Sequence, residues 1–252
     1  MNQALGIQID LIEERYKSIK RTLIETGRNF HIPWKSIPNH VLEDVRNELK
    51  EYDRVYSTNY DLIIYWAIMH QNLGGFKDYF FDETFDLGNT EIWGRDDTAV
   101  LYLHGGLHLY RLRSGNTLKR RSEGDRNILD LFGALYYEDA TSLFVSEGNS
   151  QEKLASINRS DYLSFAYNQF SNHQGGLVVF GHSLSVSDRH IVDAINTWGN
   201  RTIAISMLPD TDRNIRTAKA QLLGRMPEIE VYFYNALTHP LGSPDLKVEP
   251  EV

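Results

Sequence analysis

The sequence predicts an α/β fold, in which a mostly parallel sheet carries helices on both faces and follows a helical segment. Short runs rich in branched and aromatic residues alternate with longer amphipathic segments through most of the chain. The run "GGLVVFG" is continuously apolar, as expected for a strand buried on both faces. No repeat or low-complexity linker divides the 252 residues, which predicts one domain over 1–252.

Residues 1–53 form the predicted helical portion. Residues 7–26 and 40–52 repeat apolar side chains at helical spacing, and the prolines of "HIPWKSIPN" separate the two segments. The next elements are a strand, "RVYST", and a helix, "DLIIYWAIMHQNL", which Gly74 and Gly75 end.

The remaining chain continues this alternation. "TAVLYLHGGLHLYRLR" is rich in strand formers, and the turn residues "SGN" predict a hairpin into "TLKRR". Ser160 followed by Asp161 suits a helix N-cap. The later predicted elements are strand 141–148, helices 149–157 and 160–170, strand 175–181, helix 185–199, strand 202–208, helix 210–224, strand 228–235 and a loose tail, 238–252.

Composition excludes several classes of function. The net charge of −8 opposes general binding to nucleic acid, and the basic residues between 111 and 121 are expected to form a solvated hairpin face. The chain has no cysteine, which excludes disulfides and thiolate metal sites. No run reaches the ~18 apolar residues of a membrane-spanning helix. The N-terminus lacks the apolar core of a signal peptide, so a cytoplasmic protein without a membrane partner is expected.

Four polar clusters each follow a predicted strand. They are "STNYD" (57–61), "LHGG" (103–106), "VSEGNS" (145–150) and "GHSLS" (181–185). Parallel strands bring their carboxyl ends to one edge of a sheet, and α/β proteins bind ligands there. The four clusters are therefore expected to converge on one cleft.

Each cluster also has an explanation that involves no ligand. Asn59 or Asp61 suits the N-cap of the helix that follows. Gly105 and Gly106 suit a bend or a close approach of two backbones. A single histidine such as His104 is more often a structural group than a catalytic one. Both explanations stay open at this stage.

A serine esterase of the α/β-hydrolase type is one alternative. "VVFGHSLS" resembles the nucleophile elbow G-x-S-x-G, with Ser183 as nucleophile, and "HGG" resembles an oxyanion loop. Asp210 and His239 follow in the chain order of a catalytic triad. Ser185, however, occupies the fifth elbow position, where glycine is needed. This alternative also leaves "STNYD" and "VSEG" without a role.

Taken in order, the four clusters resemble those of the sirtuin-like superfamily. "STNYD" resembles its T-x-N-x-D segment, and "LHGG" resembles the segment with its essential histidine. "LFVSEG" resembles a strand ending in F-G-E, and "LVVFGHSLSV" one ending in G-T-S-L-x-V. The similarity is closer to a bacterial branch with T-N-Y-D-L-L-x-Y-W-A, Y-L-H-G-A-L-H-L, F-V-S-E-G and F-G-H-S-L, and covers roughly residues 50–235.

The resemblance implies a Rossmann-like fold that binds NAD as a substrate. One arm of the superfamily removes acyl groups from lysine and carries a four-cysteine zinc ribbon. Another arm hydrolyses NAD and is associated with antiphage defence. Because this chain has no cysteine, no zinc is expected, and the resemblance favours an NAD glycohydrolase that releases nicotinamide.

The resemblance also implies roles for single residues. Asn59 would hold the ribose hydroxyls or the attacking water, and His104 would act as general base, a role that suits a pKa near neutral. Asp61 would contact the nicotinamide amide or orient its neighbours. The residues expected to contact the cofactor are Thr58, Asp61, Gly105, Glu147, Gly181, His182 and Ser183.

One feature of the superfamily pattern is missing. Its members begin with a strand and a glycine-rich loop that cradles the pyrophosphate. In residues 1–54 of this chain the only glycines are Gly6 and Gly27, and neither lies in such a loop. The expectation is a shortened or impaired member, a fragment, or a chain that a second copy or a partner protein completes. A non-catalytic nucleotide-binding or interaction module is therefore the second alternative.

Overall fold

The computed structural model describes residues 34–81, 83–89, 96–121, 140–145 and 148–248, together with six single residues. All but four residues of the predicted helix 7–26 lie outside this part of the chain. The helices described are α1 (Asn39–Lys50), α2 (Ile63–Met69), α3 (Ser150–Ile157), α4 (Asp161–Ser171), α5 (Arg189–Asn196) and α6 (Asp212–Arg225). The strands are β1 (Arg54–Ser57), β2 (Phe76–Lys77), β3 (Phe80–Phe81), β4 (Thr84–Phe85), β5 (Thr98–Tyr102), β6 (Gly105–Leu112), β7 (Thr117–Lys119), β8 (Ala140–Phe144), β9 (Leu177–Val179), β10 (Thr202–Met207) and β11 (Glu230–Asn235).

The strands form three sheets, and the predicted α/β class is confirmed. Two sheets are parallel and three-stranded, with the orders β1-β5-β2 and β9-β10-β11. The third is antiparallel and five-stranded, with the order β3-β4-β7-β6-β8. One mostly parallel sheet was expected, whereas six of the eleven strands in the described part of the chain are in parallel sheets, and they are divided between two sheets. The cause is the turn Leu103–His104, after which the chain leaves the parallel sheet and enters β6.

Helices cover both faces of the sheet that contains β5. Every residue of β5 is buried. Val100 and Tyr102 join a core with side chains of α1 and α2, whereas Leu101 and Leu103 join a second core with α4, α5 and α6. The second core also includes side chains of β9 and β10, so the two parallel sheets share it.

A side chain from α4 completes the hydrogen bonding of β5. Strand β2 pairs only with the first two residues of β5, Thr98 and Ala99. Further along the strand, the backbone N–H of Tyr102 donates to the hydroxyl of Tyr162 at 3.0 Å. Tyr162 is fully buried, so this bond ties α4 to the centre of the sheet.

The predicted cap at Ser160 and the predicted hairpin agree with the structure. Ser160 precedes α4, and its hydroxyl accepts the backbone N–H of Leu163 at 3.3 Å. Asn149 and Glu152 form a reciprocal capping box at the start of α3. The "SGN" turn joins β6 to β7 as an antiparallel pair. Among the described residues, no helix is long and apolar enough to cross a membrane.

The tail predicted to be loose is packed over its described part, which reaches residue 248. Pro240–Gly242 and Pro244–Leu246 each form a short 3-10 turn, as proline at the first position of a helical turn favours. Leu241, Leu246 and Val248 pack against the core that contains α1. Apolar side chains between the prolines therefore hold this segment to the domain.

His108 lies on β6 in surroundings that oppose its protonation. It is fully buried, with its ring centroid 4.9 Å from that of Tyr65 and 4.5 Å from that of Tyr102. Burial, together with the nearby charge of Lys119, lowers the pKa of His108 to about 3. The folded protein thus keeps this ring neutral at a pH where the unfolded chain, with a histidine pKa of about 6.5, binds a proton.

This difference predicts acid destabilisation. Above about pH 6.5 the ring is neutral in both states, and below that value only the unfolded state gains the proton, so stability falls as pH drops toward 3. One such histidine contributes about 1.4 kcal/mol per pH unit. We expect His108→Leu to reduce the dependence of unfolding free energy on pH by about one proton between pH 6 and 4, measured by urea unfolding. His40→Ala, at an exposed position on α1, serves as control. An unchanged slope in the His108 variant would contradict the expectation.

Candidate functional site

A network of polar side chains lies where β5 ends and where α3 and α5 begin. His104 occupies the turn after β5, and its Nε2 lies 2.9 Å from Nε2 of His190 near the start of α5. The Nδ1 of His190 lies 3.2 Å from Oγ of Ser150, the first residue of α3. The backbone N–H of His190 donates to the same oxygen at 2.7 Å. Both histidines are buried, so the two rings are held between a strand end and two helix starts.

A carboxylate and a lysine adjoin this histidine pair. Lys153, on α3, donates to Oδ1 of Asp188 at 2.7 Å, and the hydroxyl of Ser185 donates to Oδ2 at 3.1 Å. The Nε2 of His182, after β9, lies 4.0 Å from the same Oδ2. Burial by itself would raise the pKa of Asp188, but Lys153, His182 and Ser185 together outweigh burial, so the pKa lies below its usual value. Asp188 is therefore an anion at neutral pH.

The histidines of the network are neutral at neutral pH. Burial, followed by the proximity of His190, lowers the pKa of His104 to about 4. Burial also lowers the pKa of His182 and of His190, although Asp188 acts in the opposite direction on both. His104 thus has a pKa below the neutral value that suits a general base. At pH 7 the ring is uncharged, and it accepts a proton less readily than free imidazole does.

In the first cluster, Asp61 stands one residue before the N-cap position of α2, Leu62, and bonds to the start of that helix. Its Oδ1 accepts the backbone N–H of Ile63, the first residue of α2, at 2.9 Å. Asn59 is exposed, and its backbone N–H donates to Oγ of Ser57 at 3.2 Å. The bond to the first N–H of α2 therefore accounts for Asp61, although Asp61 is not the N-cap residue, whereas Asn59 is exposed.

Backbone hydrogen bonds place the first cluster beside the second. The N–H of Leu103 donates to the carbonyl of Ser57 at 2.7 Å, and the N–H of Leu107 donates to the carbonyl of Tyr60 at 2.8 Å. Thr58, which is half-buried, lies between these two connections in the chain. The loop 57–61 thus runs alongside the turn that carries His104.

Gly105 has a structural reason to be glycine. Its φ of +77° is unfavourable for other residues, and a Cβ at this position would lie 2.2 Å from the carbonyl oxygen of Leu143. This close approach arises because Gly105 pairs with Phe144 of β8. The packing of β6 on β8 accounts for the glycine without a cofactor.

The fourth cluster forms an open turn after β9. Gly181 has a φ of +68°, and its N–H donates to Oγ of Ser206 at 3.0 Å. Nδ1 of His182 accepts the N–H of Leu184 at 2.8 Å, which directs Nε2 toward Asp188. Ser183 is exposed. Of the third cluster, Glu147 lies outside the described residues, and Ser150 joins the histidine network.

The structure does not assemble the esterase triad. The Nε2 of His239 lies 3.2 Å from the hydroxyl of Tyr52, and its Nδ1 accepts a backbone N–H. Both carboxylate oxygens of Asp210 accept from the side chain of Asn214, each at 3.1 Å. The groups that would activate Ser183 are thus engaged elsewhere.

Three residues of the network lie outside the four polar clusters of the sequence. Asp188 and His190 belong to the predicted helix 185–199, and Lys153 belongs to the predicted helix 149–157. The signal was present in "SVSDRHIV", where an acid and a histidine precede an apolar helix directly after the fourth cluster. Helix starts that follow strand ends belong to the same edge of the sheet.

In α/β sheets generally, ligands bind outside the carboxyl ends of the strands, which is the edge where this polar network lies. A family model described as a domain of unknown function (DUF4917) matches residues 1–241, and the chain belongs to this family. No curated protein matches the chain.

Proposed function

We propose that this protein binds NAD or a closely related nucleotide at the strand-end edge and hydrolyses the bond between nicotinamide and ribose. The observation that carries the proposal is the position of His104, which is anchored in a buried network beside the polar loop 57–61. The resemblance of four ordered motifs to NAD-hydrolysing proteins supports it. Because such an enzyme depletes the cytoplasmic NAD pool, the proposal includes a cytoplasmic location and a role in antiphage defence.

The reaction needs a water molecule, a proton acceptor and stabilisation of positive charge on the ribose. The C1′–N bond breaks with its electron pair remaining on nicotinamide, and the water oxygen bonds to C1′. The proton lost by the water passes to the neutral ring of His104. The exposed amide of Asn59 orients the water or the ribose hydroxyls. Positioning and charge placement lower the barrier, since the transition state resembles an oxocarbenium ion.

Incubation of the purified protein with NAD tests the proposal. We expect nicotinamide and ADP-ribose to form in equal amounts, as measured by liquid chromatography. His104→Ala and Asn59→Ala should each reduce the rate, and loss of a general base costs roughly a hundredfold or more. His40→Ala, at an exposed position on α1 and outside the network, should leave the rate unchanged.

A non-catalytic nucleotide-binding module is the second candidate. The low pKa of His104, about 4, and its bond to His190 favour it, because both features also suit a structural histidine. This candidate predicts that calorimetry detects NAD binding, that binding survives His104→Ala, and that no product forms. Absence of both binding and turnover would contradict both candidates.

A further inference from the structure

Three side chains of the network form a group with the donor set of a metal site. His104, Asp188 and His190 each present a ligand atom, and these atoms all lie within 4.8 Å of one another. Ligands that share one zinc ion at about 2.0–2.2 Å stand roughly 3–3.5 Å apart. Since the two Nε2 atoms are already 2.9 Å apart, small side-chain shifts would bring the group onto one ion.

We propose that His104, His190 and Asp188 bind one divalent transition-metal ion through the two Nε2 atoms and a carboxylate oxygen. The absence of cysteine excludes a thiolate site, but it leaves this nitrogen and oxygen site open. Three protein ligands would leave one coordination position for water or another small oxygen ligand, as in catalytic zinc sites.

The surroundings of His190 orient its ring for this role. Its Nδ1 lies 3.2 Å from Oγ of Ser150. When Nδ1 carries the hydrogen and donates it to this oxygen in a hydrogen bond, Nε2 keeps its lone pair for a metal. Metal-bound histidines commonly donate their second nitrogen to an oxygen in this way. Because Ser150 is the first residue of α3 and His190 is the second residue of α5, the contact fixes the ring relative to both helices.

Lys153 sets the expected affinity. It donates to Oδ1 of Asp188, which leaves Oδ2, the oxygen that accepts from Ser185, as the oxygen available to a metal. The lysine charge opposes a cation and weakens binding relative to the same group without it. Two imidazoles and one carboxylate favour zinc, cobalt or nickel, whereas magnesium and calcium prefer oxygen donors only.

A bound metal would also affect the proposed reaction. The ion would hold the ring of His104 through Nε2 and place its positive charge beside the ring, so the ring would accept a proton from water less readily. Zinc should therefore inhibit NAD hydrolysis. This consequence rests on the proposed function, whereas metal binding itself does not.

Titration of the untagged, chelator-treated protein with Co²⁺ tests the inference, because cobalt bound to nitrogen and oxygen ligands absorbs visible light. We expect one saturable site per chain, displacement of Co²⁺ by Zn²⁺, and no displacement by an equal concentration of Mg²⁺. His190→Ala should weaken binding by roughly a hundredfold or more, since a ligand is lost. His40→Ala, which removes an exposed histidine, should leave the dissociation constant unchanged.

Two further variants keep the test decisive if His190→Ala does not fold. Ser150→Ala should weaken Co²⁺ binding about tenfold, because it removes the oxygen that orients His190. Lys153→Met should tighten it about tenfold, because a competing positive charge is removed. Circular dichroism shows whether each variant is folded. Absence of saturable binding, or equal affinity in wild type, Ser150→Ala and Lys153→Met, would overturn the inference. Cobalt binding, together with no NAD turnover by the metal-free protein, would support the metal site and contradict only the proposed reaction.

Discussion

Lys119→Met is expected to destabilise the protein by about 3–5 kcal/mol, because it leaves a buried carboxylate without its counterion. Lys119, on β7, and Asp78, between β2 and β3, form an ion pair, and each residue is 1% exposed. Oδ1 of Asp78 also accepts the N–H of Phe80 at 3.2 Å. Because Asp78 is buried, water cannot solvate its carboxylate when Lys119 is removed. Urea unfolding at pH 7 measures the loss.

A second substitution distinguishes the effect of the lost ion pair from the effect of changed side-chain packing. Asp78→Asn in the Lys119→Met background removes the unpaired charge and keeps an acceptor for Phe80, so most of the lost stability should return. Lys35→Met, at an exposed lysine, should change stability by less than about 0.5 kcal/mol. A loss below about 1 kcal/mol for Lys119→Met alone would show that the pair is solvated.

Gly105→Ala is expected to cost about 3 kcal/mol or more, since it combines an unfavourable φ with a steric clash. The new Cβ would lie 2.2 Å from the carbonyl oxygen of Leu143 and 2.9 Å from Cα of Phe144. Because all these atoms belong to the paired backbones of β6 and β8, relief requires the strands to separate. Chemical denaturation compares the variant with wild type.

Gly115 offers a matched control. Its φ is +97°, and a Cβ there meets nothing within 4 Å. Gly115→Ala should therefore show the backbone cost alone, about 1–2 kcal/mol. The difference between the two variants measures the clash at Gly105. Equal losses would mean that β8 moves aside without cost.

Sequence patterns predicted the parts of the fold that depend on neighbours in the chain. The cap at Ser160 and the "SGN" hairpin each involve residues close together in sequence, where local chemistry decides the outcome. The placement of Lys119 on a solvated face was wrong. Its partner, Asp78, is 41 residues away, and no local pattern indicates that contact.

Only part of the candidate site could be predicted from the sequence. Placement after a strand identified His104 and His182, and the structure brings both near Asp188. The partner of His104, however, is His190, which is 86 residues away and sits inside a segment with strong helical spacing. A helical pattern indicates which face of the helix packs on the core. It does not indicate that the start of the helix also faces a neighbouring strand end.

The bond between Tyr102 and Tyr162 has a consequence for the behaviour of the protein in concentrated solution. An uncovered strand edge offers free N–H groups to another chain, and such edges promote aggregation. Because β2 is only two residues long, the later part of β5 would present such a donor. The tyrosine hydroxyl occupies it from within the same chain. A short strand and one phenol thus provide the protection against intermolecular sheet growth that a full-length neighbouring strand would otherwise give.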